Sequence, residues 1–260
     1  MFRREFIRGS AIVGAAVATP SWLTAASGFF AAATERKVAQ VLDCKRTMVQ
    51  NVPVLRGFAG DHTDLVSPFV MLDEFGPLQI DPGTLGMDIR RDGGVVHGFQ
   101  IWLNLPAAHK FSTPVTTLRD KTEFPVIETD DYRIKVLMGD AFGQSSPTAL
   151  HSPAFYHHVH LAPGGRLDLP VEAAHNAFVH VVDGKLEVEG RRELRAQQLA
   201  LYQRGGDHLR FHSLAGAEFI VLGGQPLGEP VVSYGPFVMN NRQQIQRCIA
   251  DYRAGRMGEL

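Results

Sequence analysis

The sequence predicts an all-β chain of short strands closed into a sandwich or barrel, with a single helix at its C-terminal end. Glycine and proline are frequent, 26 and 15 in 260 residues, which favours turns over long helices. Short apolar runs recur through the second half, punctuated by Pro-Gly-Gly, Asp-Gly and Gly-Gly turn signals. One segment keeps a helical period, with Ile245, Cys248, Ile249 and Tyr252 at i, i+3, i+4 and i+7.

The strands follow in order from Val38. Residues 38–42 and 52–58 are strand-like, each closed by polar residues or glycine. Residues 67–75 form an apolar run that ends at a Gly76-Pro77 turn signal. Residues 78–94 lose all periodicity and carry four glycines and Pro82, which reads as a loop. From Gly98 to Leu105 apolar and other residues alternate, the mark of a half-buried strand. Further strands are expected at 132–138, 155–161, 167–169, 177–182, 185–188, 198–202 and 219–222. Asp183-Gly184 is the clearest hairpin turn, because it supplies the positive φ angles that a two-residue turn needs. The helix is capped by Asn240, ended by Gly255, and expected to lie on a β surface.

Composition narrows the function classes. A chain that is 45% hydrophobic and 20% charged is neither disordered, collagenous nor a polytopic membrane protein. With 26 Lys+Arg against 27 Asp+Glu, no charge excess points to nucleic acid or an anionic membrane. Cys44 and Cys248 are too far apart for a CxxC motif and too few for a disulfide framework, although one long-range bridge stays open in an oxidising compartment.

Residues 1–33 read as a twin-arginine export signal. Arg3-Arg4-Glu5-Phe6-Ile7-Arg8 precede a mild apolar run at 11–18, too short to span a bilayer, and Ala31-Ala32-Ala33 offers cleavage before Thr34. Ala25-Ala26-Ser27 is an earlier alternative. The expected location is periplasmic.

Three blocks carry a family likeness: residues 67–77 (SPFVMLDEFGP), 97–106 (HGFQIWLNLP) and 228–240 (GEPVVSYGPFVMN) leading into the terminal helix. In order and chemistry the chain resembles the pirin family of two-domain cupins. The resemblance implies two β-barrels face to face and, in the N-terminal one, a metal held by a His-x-His pair, a third histidine and a glutamate. In many bacterial members it also implies oxygen-dependent cleavage of flavonols such as quercetin.

The chain departs from that pattern where the metal should sit. Between the first two blocks lie only residues 78–96, which contain no histidine and whose acids are Asp81, Asp88 and Asp92. His97 belongs to the second block. Eight of the eleven histidines lie instead between His151 and His212. On a strand, His158 and His160 share the face of Tyr156, while His157 points with Phe155, Val159 and Leu161. The candidate metal ligands are therefore His158, His160, His175 and His180, with no catalytic or cofactor-binding residue assigned. Other chemistry is weaker. Asp73 and Glu74 face opposite sides of a strand, Cys44 beside Lys45-Arg46 would have a lowered pKa if exposed, and residues 191–195 are a mixed-charge surface run.

The expected architecture is two cupin-like jelly-roll barrels, the N-terminal one incomplete, plus a C-terminal helix. The divisions are a signal at 1–33, a shortened N-terminal cupin at 34–138, a C-terminal cupin at 139–240, and a helix and tail at 241–260. The expected function is that of a non-catalytic binding or interaction protein without the family's metal site. The alternative is an iron-dependent flavonol (quercetin) 2,3-dioxygenase-type oxidoreductase, with iron or another divalent metal as cofactor. The expected partner is a small molecule or protein, with no nucleic acid and no membrane span after signal removal.

Overall fold

The computed structural model describes residues 34–49, 52–59, 64–80 and 94–257. The expected export signal and the acids Asp81, Asp88 and Asp92 lie outside the described residues. In chain order the strands are β1 (Val38–Asp43), β2 (Lys45–Val49), β3 (Val52–Ala59), β4 (Phe69–Ile80), β5 (Gly94–Leu103), β6 (Val126–Glu128), β7 (Tyr132–Met138), β8 (Asp140–Ala141) and β9 (Gln144–Ser145). There follow β10 (Ala154–Leu161), β11 (Arg166–Pro170), β12 (Asn176–Val188), β13 (Arg192–Arg195), β14 (Gln198–Tyr202), β15 (His208–His212), β16 (Ala217–Gly224), β17 (Val232–Tyr234), β18 (Phe237–Met239) and the helix α1 (Arg242–Arg253).

Strands β2 to β5 form a four-stranded antiparallel sheet in sequence order, so the N-terminal part is a sheet rather than a closed barrel among the described residues. The larger, cupin-like barrel is built on a path β1-β14-β12-β16-β10-β7-β6, with β11, β13 and β15 joined through the far half of β12. Three strands from the segment 34–138 thus pair into the C-terminal barrel: β1 with β14, β6 with β7, and β7 with β10. Pairs such as Val41 with Ala200 and Ile134 with Val159 are long-range and leave no local signature.

Two expected turns are bulges instead. Strand β4 runs through Gly76, whose φ of 92° accompanies a register shift between Phe75 and Leu78, and residues 78–80 pair with 94–96 rather than starting a loop. Strand β12 likewise runs through Asp183-Gly184. Its register against β16 shifts between Val181 and Asp183, and Gly184 adopts φ +80° where a Cβ would lie 2.6 Å from the Gly216 carbonyl oxygen. The same positive φ that suits a hairpin turn here lets one strand leave β14 and β16 and continue onto β13 and β15. Strands β2, β13 and β15 were not expected. They are short and polar, and β13 is the charged run, of which only Leu194 is fully buried.

Two apolar layers hold these sheets. Ile134, Val159, Val179, Val181, Leu186, Phe211 and Phe219 fill the barrel. Phe178, Ile220, Leu222, Leu199 and Leu201 on its outer face pack against Phe69 and Leu72 of the N-terminal sheet. Phe178 receives Phe58 and Phe69 edge-on, each at 5.3 Å between ring centroids. Before β1, the buried Arg36 donates to the carbonyl oxygens of Glu172, His175 (2.7 Å) and Gly206 (3.1 Å), fastening the chain to the barrel rim.

Helix α1 is capped by Asn241 rather than Asn240: its side chain accepts from the Gln244 amide at 2.9 Å. Asn240 is diverted, its amide donating to Glu229 and to the Pro230 carbonyl. Ile245 and Cys248 are buried against Met239 on the β17–β18 hairpin, whereas Tyr252 is largely exposed. No helix among the described residues is long and apolar enough to cross a membrane.

Phe178→Ala is expected to cost about 3–5 kcal/mol in equilibrium denaturation, since it empties the contact between sheet and barrel. A second prediction concerns Glu189, which follows β12 and is buried with Oε2 unpaired, while Oε1 accepts from the Arg210 amide at 3.2 Å. Burial raises its pKa from 4.5 to about 7 against the pull of that amide. The protonated form is the one the fold favours, so this contribution is complete below pH 4.5 and disappears as pH rises through 7. In chemical denaturation across that window, Glu189→Gln is expected to remove this part of the slope. A difference between variant and wild type that is flat with pH would refute it.

Candidate functional site

The N-terminal sheet meets the barrel through two buried acids on adjacent positions of β4. Asp73 points to one side and is gripped by Arg56 directly across the ladder on β3, at 2.8 and 2.6 Å. Glu74 points to the other side, toward the barrel. His97 Nε2 on β5 donates to its Oε1 at 2.7 Å, and His180 Nε2 on β12 donates to its Oε2 at 2.6 Å. An ionised carboxylate only accepts, so both ring nitrogens act as donors. Burial works to raise the Glu74 pKa, but the hydrogen bonds and charges of His180 and His97 overcome it and leave the carboxyl below its ordinary value.

Cys44 extends this chain: its Sγ lies 3.5 Å from His180 Nδ1. Cys, His and Glu are the residue types of a thiol triad, yet the electrostatics run the other way. Burial, and then the Glu74 and Asp43 charges, push the Cys44 thiol up to about 12, so it is a protonated donor and not a nucleophile. The lowered pKa that Lys45-Arg46 would give an exposed thiol does not arise, because the side chain turns inward. Nor is there a bridge to Cys248. Both thiols are free, Cys248 being buried on the inner face of α1.

The four candidate ligands do not form one site. His158 and His160 come together on the outer face of β10, their rings 4.6 Å apart, and Glu218 of β16 joins them. His180 belongs to the Glu74 chain, and His175 lies on the rim, where its carbonyl is held by Arg36. These two stand apart from β10 because His175 precedes β12 at the rim while His180 lies within β12 and turns outward to Glu74. Glu218 and the histidine partners of Glu74 went unnoticed because each link crosses between strands far apart in sequence.

A cleft of about 940 Å³ opens at the rim of the C-terminal barrel, lined by His151, His157, His175, His208 and Asp207 among others. His157 is buried, with Nδ1 unpaired, and burial lowers its pKa to about 4, so it presents a neutral imidazole at pH 7. Asp207, bonded by His208 at 2.9 Å, is held down at about 2. The cleft can therefore offer a carboxylate and the neutral His157 imidazole to a small polar ligand.

A β-barrel of this strand order with a second sheet laid on its outer face is cupin-like. Residues 156–258 match the model of the Pirin C-terminal cupin domain. PA3240 of Pseudomonas aeruginosa, provisionally named a quercetin 2,3-dioxygenase, is 36% identical over 170 residues, 62% of this chain and 59% of that protein. Pirin-like protein 2 of Arabidopsis thaliana is 25% identical over 256 residues, covering 79% of this chain and 80% of its own. A crystal structure of quercetin 2,3-dioxygenase from Acinetobacter baumannii superposes with a TM-score of 0.80 at 22% identity, over 86% of this chain and 99% of that one, which shows the shared fold. The chain is therefore similar to pirins, through the matched C-terminal cupin domain and these relatives. It spans 59% of the length of PA3240.

The metal that the family implies needs imidazoles and a carboxylate converging on one point. Both oxygens of Glu74 are instead occupied by His97 and His180, and among the described residues the one group of three donors within 4.8 Å of one another is His158, His160 and Glu218. The described donors of the N-terminal sheet do not fit such a centre.

The two thiols provide a check on this arrangement. Ellman's reagent at pH 8 is expected to titrate neither cysteine rapidly in the native protein and both after unfolding. Rapid native reaction at Cys44, located by mass spectrometry, would contradict the inward-turned, protonated thiol.

Proposed function

We propose that this chain is a pirin-type cupin that binds a small polar ligand in its C-terminal barrel cleft and does not turn it over oxidatively. The observation that carries this reading is the closed hydrogen-bond chain Cys44–His180–Glu74–His97, which uses the donors of the N-terminal sheet on one another. What these residues do is positional. The buried Glu74 charge ties β4 and β5 to β12, and the separate rim cleft keeps neutral His157 and ionised Asp207 ready for hydrogen bonding.

The second reading is a metal-dependent quercetin 2,3-dioxygenase, favoured by the 36% identity to PA3240. It would require iron on the two histidines and carboxylate of β10 and β16, a donor set used by non-haem iron oxygenases. Those side chains are open to solvent, whereas oxygen chemistry on a flavonol calls for an enclosed, water-poor site.

Oxygen uptake separates the two. Protein loaded anaerobically with iron(II) is expected to consume no more oxygen with quercetin than iron alone. Saturable, protein-dependent uptake would establish the dioxygenase instead. A fragment screen by NMR is expected to shift the ring signals of His151, His157, His175 and His208, and hits that leave all four unmoved would remove the cleft as the ligand site.

A further inference from the structure

Along β10 the outward row reads Ala154, Tyr156, His158, His160, and along β16 it reads Leu222, Ile220, Glu218. The N-terminal sheet covers the first members of both rows, since Ala154, Leu222 and Ile220 belong to the layer it packs against, with Tyr156 partly buried beside them. Beyond that edge the rows turn polar together. His160 and Glu218 are direct cross-strand partners, and His158 is two residues back on the same face. Glu218 Oε1 lies 2.7 Å from His158 Nε2 and 3.9 Å from His160 Nε2.

We propose that His158, His160 and Glu218 form a binding site for a zinc-class divalent cation on the outer face of the C-terminal barrel. Zinc bonded to imidazole nitrogen and carboxylate oxygen in a tetrahedron separates its donors by about 3.4 Å. The observed 2.7 and 3.9 Å bracket that value, and all three donor atoms already lie within 4.8 Å of one another, so small side-chain rotations suffice. Two imidazoles with one carboxylate suit zinc, nickel or copper better than magnesium or calcium, which prefer oxygen. The ion replaces the His158–Glu218 hydrogen bond. His158 then coordinates through Nε2 and carries its proton on Nδ1 or releases it. Side-chain exposures of 28%, 44% and 32% for His158, His160 and Glu218 leave the fourth position to water.

Lys135 and Arg133 stand across from His158 and His160 on β7 and oppose the ion's charge, although Arg133 is also turned toward Glu128 at 3.9 Å. Affinity is therefore expected in the micromolar rather than the nanomolar range. A bound ion would clamp β10 to β16 and stabilise the fold by mass action. The proposal is independent of the cleft and of oxygen chemistry, because zinc has no redox activity.

The test is a zinc titration of the full chain against a chromophoric chelator, with thermal melts in parallel. One equivalent of zinc is expected to bind and to raise the melting temperature. His158→Ala, His160→Ala and Glu218→Gln are each expected to weaken binding about tenfold or more and to abolish the thermal shift. His212→Ala, which removes a histidine facing Glu187 at 3.8 Å and outside the three-donor group, is expected to leave both readouts unchanged. His160 is the most exposed of the three, so its variant carries the test if another fails to fold. Absence of saturable binding, or equal affinity in the wild type and all three site variants, would overturn the proposal.

Discussion

The constraint on which the structure depends is burial of the central barrel strands on both faces. Val159, Val179, Val181, Phe219 and Val221 point into the barrel, while Phe178, Ile220 and Leu222, their neighbours on the same strands, point outward and are equally buried. An apolar outer face of that extent cannot be left to water at roughly 25 cal/mol per Å². The N-terminal sheet therefore functions as a cover, and Phe58, Phe69 and Leu72 are its contact surface. A four-stranded sheet is enough for that, even though it does not close into a second barrel among the described residues.

The reach of this cover decides the chemistry of the outer face. Beneath it the buried acids are matched, Glu74 by His97 and His180 and Asp73 by Arg56. At its edge the same strands carry histidines and a glutamate half open to water, where a cation can approach them. Burial also sets the protonation states: it holds Cys44 as a thiol, keeps His157 neutral and raises Glu189. Sequence neighbours such as Lys45 had suggested the opposite for Cys44.

Much of the barrel was legible. Strands β1, β3, β7, β10, β14 and β16 announce themselves by apolar runs or alternation, and the uninterrupted apolar stretch 219–222 already has the form of a strand buried on two faces. The face shared by His158 and His160 follows from the two-residue period alone. Bulges were misread as turns because glycine at positive φ serves both, and whether β12 folds back at Gly184 or continues depends on β13 and β15, which arrive later in the chain. Glu218, and the pairing of Glu74 with His97 and His180, stayed hidden for the same reason.

By itself the sequence determined the strand periods, the faces of the side chains, the terminal helix and the likeness to pirins, because these are local patterns or long matching blocks. Only the tertiary structure decided which strands pair, so that β1, β6 and β7 entered the C-terminal barrel, His180 turned to Glu74, and His158 and His160 met Glu218. Pairing between distant strands is fixed by the burial of whole faces at once, a collective quantity that no single segment encodes.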